Sequence, residues 1–264
     1  MGTDDLSNRK KHTRAASDVA IITMAYYPDP RKEMEKVRFE CALETLYNAK
    51  HLGYTIFVSD GGSPSDVRSE LRKYATEVFE DTGKSIVERR QSLAGIANSR
   101  SNEVIVWQEI EKVNLPHHLD GIVDFISDEA HNGRSQLVVI GRSAEVLGSY
   151  PAFQIEFEKE NNRGFLHATG KDFDVVCGAR AWHKPLTSKY FLQTMPAYAG
   201  SWGDTYIPII DAIKSGEHVT GINVPLIYPR LQKEMEEKYA GQFIEKRRKQ
   251  TEELVALYHK RMSE

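Results

Sequence analysis

Tyr54-Thr-Ile-Phe-Val-Ser-Asp-Gly-Gly-Ser-Pro64 is the stretch on which the fold turns. Its apolar centre, Ile56-Phe57-Val58, has the character of a short buried strand and stops at a carboxylate followed by two glycines. Ser63-Pro64 then reads as a helix start, a hydroxyl cap with proline at the first helical position. Open α/β sheets bind nucleotides at such a place, where an acid ends a strand beside a loop that a ligand can approach closely. Asp-Gly-Gly is also ordinary turn chemistry, so the flanking segments have to choose between the two.

They alternate. Residues 19–25 form a short apolar run, and residues 32–51 carry helical spacing through Val37, Cys41, Leu43, Leu46 and Ala49. Beyond the quoted stretch come a helix over about 65–76, a very short strand at Val78-Phe79, a helix over 84–98 and a strand over 103–107. The second half is less regular: a helix over 119–130, a strand over 136–140, a helix over 149–162 and a helix from Asp204 or Thr205. Residues 219–227 are strand-like but interrupted by Gly221 and Pro225, and a charged helix runs from Leu231 to the end with a weak point at Gly241. This order predicts an α/β, Rossmann-like domain, a mostly parallel (mixed) sheet with helices on both faces and a C-terminal helical extension. The expected boundaries are a disordered tail over 1–17, one compact domain over 18–230 with halves 18–112 and 113–230, and the terminal helix over 231–264.

Composition narrows the function. With 264 residues, 40% apolar, the chain can bury a real core. A net charge of −3 gives no global attraction to nucleic acid, so any phosphate site must be local. Two distant cysteines, Cys41 and Cys177, read as free thiols of a reducing compartment. No apolar run approaches the ~20 residues of a membrane span, and cytoplasmic is the default location.

Several residues could carry chemistry. Ile86, Arg90, Leu93 and Ala97 share a helical stripe, which turns Arg90 and its neighbour Arg89 towards the sheet. A guanidinium there needs an anion, either a ligand diphosphate or a structural partner such as Asp60 or Asp81. Glu109 and Glu111 follow a strand two residues apart, so an extended backbone would send both carboxylates to one side, where they could hold Mg²⁺ or Mn²⁺. His183 is available as a third ligand. Asp204 is either a general base or a helix cap; with Thr205 as cap, Pro208 would fall in the unpaired first turn and Asp204 would be free. Arg142, Gln154 and Arg180 could meet acceptor hydroxyls or phosphate. Glu245-Lys-Arg-Arg-Lys-Gln250 reads as a solvated face or a homodimer contact on the last helix.

The order of these parts resembles the GT-A type glycosyltransferases, the family-2-like enzymes that use nucleotide-diphosphate sugars. Ala20-Ile-Ile-Thr-Met-Ala-Tyr26 matches the first strand, whose end (Thr23, Ala25, Tyr26) would face the nucleobase. Asp60 matches the acid that contacts the nucleoside, and Gly83 with Glu88-Arg-Arg-Gln-Ser-Leu-Ala-Gly-Ile-Ala97 is similar to the glycine, basic residues and helix before the central strand. Gln108-Glu109-Ile110-Glu111 stands where the family has its Asp-x-Asp metal motif, a departure that bears on metal use. Asp174-Val-Val-Cys-Gly-Ala-Arg-Ala-Trp182 resembles the segment returning to the acceptor side, and Trp202-Gly-Asp204 lies where an acidic base often starts a helix. The resemblance covers roughly residues 18–228 and implies a nucleotide half, an acceptor half and sugar transfer from a nucleotide-diphosphate donor to a hydroxyl acceptor, a small molecule or a glycan. Donor contacts would come from Thr23, Ala25, Tyr26, Asp60, Arg89, Arg90, Glu109 and Glu111, acceptor contacts from Arg142, Gln154 and Arg180, and the base from Asp204. A nucleotidyltransferase or a non-catalytic nucleotide-sugar-binding homologue remain the alternatives; the first lacks its early glycine-rich signature, since residues 24–31 contain no glycine.

Overall fold

The computed structural model describes residues 16–264; most of the tail expected over 1–17 lies outside the described residues. From Val19 the chain alternates strictly: β1 (Val19–Ala25), α1 (Glu33–His51), β2 (Thr55–Asp60), α2 (Ser65–Arg72), β3 (Glu77–Glu80), α3 (Ile86–Ser99) and β4 (Val104–Trp107). There follow α4 (Leu119–His131), β5 (Gln136–Arg142), α5 (Ala152–Thr169), β6 (Ala179–His183), α6 (Gly203–Lys214), β7 (His218–Val224), α7 (Arg230–Lys238) and α8 (Ala240–Ser263).

The strands make one seven-stranded sheet in the order β3-β2-β1-β4-β6-β5-β7. β6 alone is antiparallel to its neighbours, β4 and β5, and all other pairs are parallel. The expected mixed α/β sheet with helices on both faces is therefore present. Alternation along the strands sorts two cores. Val19, Ile21, Val104 and Val106 face α1, α2 and α4 through Leu46, Leu71 and Ile122; Ala20, Ile22, Ile105 and Trp107 face α3, α5, α6 and α8 through Leu93, Phe165, Ile210 and Tyr258.

Four local expectations need correction. The helix after β2 begins at Ser65, with Pro64 as its N-cap, because the Ser63 hydroxyl is already engaged by Asp60 and by the Tyr27 N–H; it ends at Arg72, well short of 76. In α3 the buried residues are Arg89, Leu93, Ala94 and Ala97; Leu93 and Ala97 lie as expected, but Arg89 is the buried arginine and Ile86 is exposed. The terminal charged stretch is two helices meeting at Tyr239, where the backbone leaves helical geometry (φ −110°, ψ 22°). α6 starts at Gly203, so neither Asp204 nor Thr205 caps it, and Pro208 lies inside the helix, unable to donate to the Asp204 carbonyl one turn back.

Candidate functional site

The carboxyl ends of β1 and β4 open into a cleft of about 290 Å³. Trp107, Trp202, Tyr150 and Tyr228 supply aromatic walls, and α7 and α8 close the far side with Gln232, Phe243 and Arg247. The cleft lies where the chain leaves a parallel strand pair, the usual ligand position in such sheets.

Arg90 is the most constrained cation there. Its guanidinium lies between the Trp107 and Trp202 rings, 5.1 Å and 5.4 Å from their centroids, and Nη1 donates to Asp204 Oδ1 at 2.9 Å and to the Ser201 carbonyl at 3.2 Å. Such a sandwich fixes the plane of the cation and strips water from it. Asp204 stands behind it, its side chain 2% exposed. Burial pushes its carboxyl up to about 6 although Arg90 opposes the shift. Asp204 Oδ2, Thr205 Oγ1 and the Nε atoms of Arg90 and Arg180 are buried with no hydrogen-bond partner among the described residues, and all four residues border a small neighbouring cavity of about 20 Å³. That volume suffices for one water.

Glu109 and Glu111 do not project together. The chain turns directly after β4, with Lys112 N–H donating to the Glu109 carbonyl, so the extended geometry expected over 109–111 is lost. Glu109 is half exposed in the cleft; burial works against its charge, but Lys112, 3.2 Å away, and Arg247 hold its carboxyl below the ordinary value. It packs against Gly178, where a Cβ would come within 3.1 Å of the carboxylate. Glu111 points towards β1 and α1, accepting from the Tyr27 hydroxyl at 2.9 Å and pairing with Arg38 at 2.9 Å. Each carboxylate thus has its own cation, and among the described residues no three His, Cys, Asp or Glu side chains gather as a metal site. The residues present do not fit a divalent ion. His183 is removed from the question by register: it pairs with Val104 at the start of β4, whereas Arg180 pairs with Trp107 at its end.

Other expected contacts are committed within the protein. Asp60 is fully buried; Oδ2 accepts from the Gly62 and Ser63 N–H groups and Oδ1 from the Ser63 hydroxyl, which closes the glycine loop on itself. Arg89 reaches under Gly61 and donates to Ser59 Oγ (2.9 Å), the Ser59 carbonyl (2.5 Å) and the Ala25 carbonyl (2.9 Å), clamping the ends of β1 and β2. Thr23 donates its hydroxyl to the Gln108 carbonyl. Tyr26 alone of the β1-end candidates is exposed, at 57%. Arg142 is buried against Asp174, with Nε and Nη2 bonds of 2.7 and 2.8 Å, and against Glu158. Gln154 borders the cleft and donates to Glu158 at 2.7 Å. Arg180, 1% exposed, donates to the Ala179 and Val175 carbonyls and lies over Tyr206 without an ion pair among the described residues.

Sequence reasoning missed Arg38, Trp202, Tyr228 and Arg247. Lys112, next to the acidic pair in sequence, is legible there as a counter-ion to one of the glutamates, and it pairs with Glu109. Arg247 had no legible signal, because only the return of α8 across α5 and α6 brings its basic run to the cleft.

No family model matches the sequence, and no curated protein matches it. Among solved structures the chain is similar to mannosyl-3-phosphoglycerate synthase from Rubrobacter xylanophilus (TM-score 0.50, 12% identity, 89% of this chain and 74% of that one). It is also similar to a protein of Desulfovibrio desulfuricans G20 provisionally described as a nucleotide-diphospho-sugar transferase (0.46, 10%, 92% and 98%). A cytidylyltransferase from Leptospira borgpetersenii follows (0.47, 13%, 79% and 76%). At these identities the likeness is one of fold: the chain has the GT-A-like sheet of nucleotide-diphospho-sugar transferases.

Proposed function

We propose that the protein is a glycosyltransferase that moves a hexosyl group from a nucleotide-diphosphate donor to a hydroxyl-bearing acceptor. The observation that carries this reading is the cationic, tryptophan-walled cleft at the ends of β1 and β4 on a transferase-type sheet. Exposed Tyr26 offers a ring for the nucleobase beside the glycine loop closed by Asp60. Arg90 faces the diphosphate, its fork held flat by two indoles and already in ion-pair geometry. The acceptor oxygen attacks the anomeric carbon, the bond from that carbon to the diphosphate oxygen breaks, and the departing oxyanion is met by Arg90. The acceptor's proton passes to Asp204, whose raised affinity for protons suits a base near neutral pH. Alignment of acceptor and donor and neutralisation of the leaving group supply most of the acceleration.

A second assignment of the base is favoured by exposure. Glu109 is half exposed in the cleft while Asp204 sits behind Arg90. In that case Asp204 only positions the guanidinium, and Glu109 takes the proton.

The test is melting of the full chain with UDP, GDP, CDP, dTDP and their common sugar conjugates, followed by turnover of the best binder. One nucleotide stabilising the fold, with transfer or slow donor hydrolysis releasing the nucleoside diphosphate, is the expected result. Release of pyrophosphate from a nucleoside triphosphate would replace the reading with nucleotidyl transfer, and tight binding without either reaction would leave a nucleotide-sugar receptor.

A further inference from the structure

The cleft is not electrically balanced. Its walls carry five cations, Arg38, Arg90, Lys112, Lys246 and Arg247, against three carboxylates, Glu109, Glu111 and Glu236. Arg38 is taken by Glu111, Lys112 by Glu109 and Arg90 by Asp204 behind it, while Glu236 accepts from the Tyr228 hydroxyl at 2.6 Å and from Gln232. Arg247 donates to Gln250 Oε1 at 3.5 Å, favours the charge of Glu109 from a distance, and has no ion pair among the described residues. Arg90, Glu109 and Arg247 also border a second cavity of about 50 Å³ that adjoins the cleft, so the three converge on one place from α3, the turn after β4 and α8. The Glu109 carboxylate borders the same cavity, half exposed beside Lys112. A carboxylate held among cations at the mouth of a cavity occupies the place of an exchangeable anion.

We infer that Arg90, Lys112 and Arg247 form a metal-free binding site for phosphate oxygens, with Glu109 as the built-in anion that fills it when no ligand is bound. The site rests on the transferase reading for the identity of its ligand, the diphosphate of the donor, but not for its chemistry. The position that would hold a metal-binding acid is here a counter-ion to Lys112, and α8 supplies the charge a divalent ion would otherwise bring. Because an arginine fork binds phosphate oxygens in two-point fashion, Arg247 is the determinant whose loss is felt most.

Binding of nucleoside diphosphates and of inorganic pyrophosphate is measured by calorimetry on the full chain, in EDTA and again in Mn²⁺. The expected result is affinity that is the same in both, falls about tenfold in Arg247→Gln, and is partly restored in Arg247→Lys. Glu109→Gln tightens binding severalfold, since the ligand no longer displaces a charge. Arg248→Gln, one residue away, exposed and paired with Glu245, leaves it unchanged and controls for net charge. Affinity that appears only with Mn²⁺ and vanishes in Glu109→Gln would make Glu109 a metal ligand and overturn the inference while sparing the transferase reading. Pyrophosphate binding in EDTA with no nucleotide bound would keep the anion site and remove the transferase. No binding of either probe overturns both.

Discussion

Arg90 Nη1 lies 2.9 Å from Asp204 Oδ1, and this one bond joins the middle of α3 to the first turn of α6 behind the cleft. The pair is asymmetric. Arg90 has two indole rings and a backbone carbonyl to hold it, whereas Asp204 keeps one carboxylate oxygen buried and without a partner among the described residues. A buried acid in that state is expensive when charged, and the cost can be read from pH.

Replacing Asp204 by Asn should therefore have a pH-dependent effect. The carboxyl is pushed up from 3.8 to about 6, so the folded protein binds this proton more tightly than the unfolded chain. Stability from the group is fully present below about pH 4 and is lost as pH rises through about 6, a change of about 3 kcal/mol. Asp204→Asn has no such titration. Urea unfolding of both proteins between about pH 4 and 7.5 should show the variant gaining about 3 kcal/mol on the parent; a stability difference constant over that range would contradict it. If Asp204 is also the base, kcat/KM of the parent falls as pH drops below about 6, and the variant loses turnover while keeping donor affinity.

Arg89, adjacent in sequence, should behave in the opposite manner. Its guanidinium is spent on Ser59 and on the Ala25 carbonyl, and burial lowers its hold on the proton despite Asp60 and Asp81 nearby. Arg89→Ala removes three bonds to buried acceptors, the Ala25 carbonyl keeping only the Gly61 N–H, a loss of about 3 kcal/mol. Lys cannot span three acceptors, so Arg89→Lys recovers little. Gly61→Ala should mimic the damage, because its Cβ would fall 2.4 Å from Arg89 Nη1. Thermal melting checks all three, and a variant that melts like the parent but loses nucleotide would return Arg89 to the donor site.

These two arginines show how far the sequence could be read. Periodicity located α3 and the need for an anion, but it gave Arg89 and Arg90 the same role, whereas Arg89 is spent on strand-end acceptors and Arg90 borders the cleft. Strand positions were legible in the first half because β1, β2 and β4 are continuous apolar runs flanked by helices. β6 was not, because Ala179-Arg-Ala-Trp-His alternates small and large residues around a buried arginine and presents no apolar run. Arg142 and Arg180 looked like acceptor ligands for the same reason: sequence shows a charge but not the acid or carbonyls that absorb it. The basic run on α8 was legible as charge alone, since its position depends on a helix returning across the whole sheet.

Arg142 illustrates the structural use of charge. Asp174 bonds Nε, Nη2 and the Arg142 backbone N–H, Glu158 takes Nη1, and the ring of Tyr150 lies 4.7 Å below the guanidinium. Burial opposes ionisation of Asp174, but Arg142 and Asn162 hold its carboxyl below the ordinary value. Asp174→Ala leaves a desolvated cation with one acid fewer and should cost about 3–5 kcal/mol, whereas an exposed pair such as Lys36–Glu40 should contribute under about 1 kcal/mol. Guanidinium-chloride midpoints of Asp174→Ala and Glu40→Ala separate the two cases; equal midpoints would mean that the network at β5 is not a keystone.

Gly178 ties stability to the site itself. Its φ of 83° lies in the left-handed region, and a Cβ there would stand 3.1 Å from the Glu109 carboxylate. Gly178→Ala should lose about 1–2 kcal/mol from backbone strain alone. The added methyl also presses Glu109 away from its place beside Lys112, so two readouts move together: the melting temperature falls, and the Lys112–Glu109 pair loosens. If Glu109 is the exchangeable anion of the cleft, pyrophosphate affinity in EDTA should rise in this variant, because a displaced carboxylate competes less well for the same cations. Glu109→Gln combined with Gly178→Ala should then bind no more tightly than Glu109→Gln alone, since the charge is already gone. A further gain in the double variant would show that the methyl acts on the cleft by some route other than Glu109.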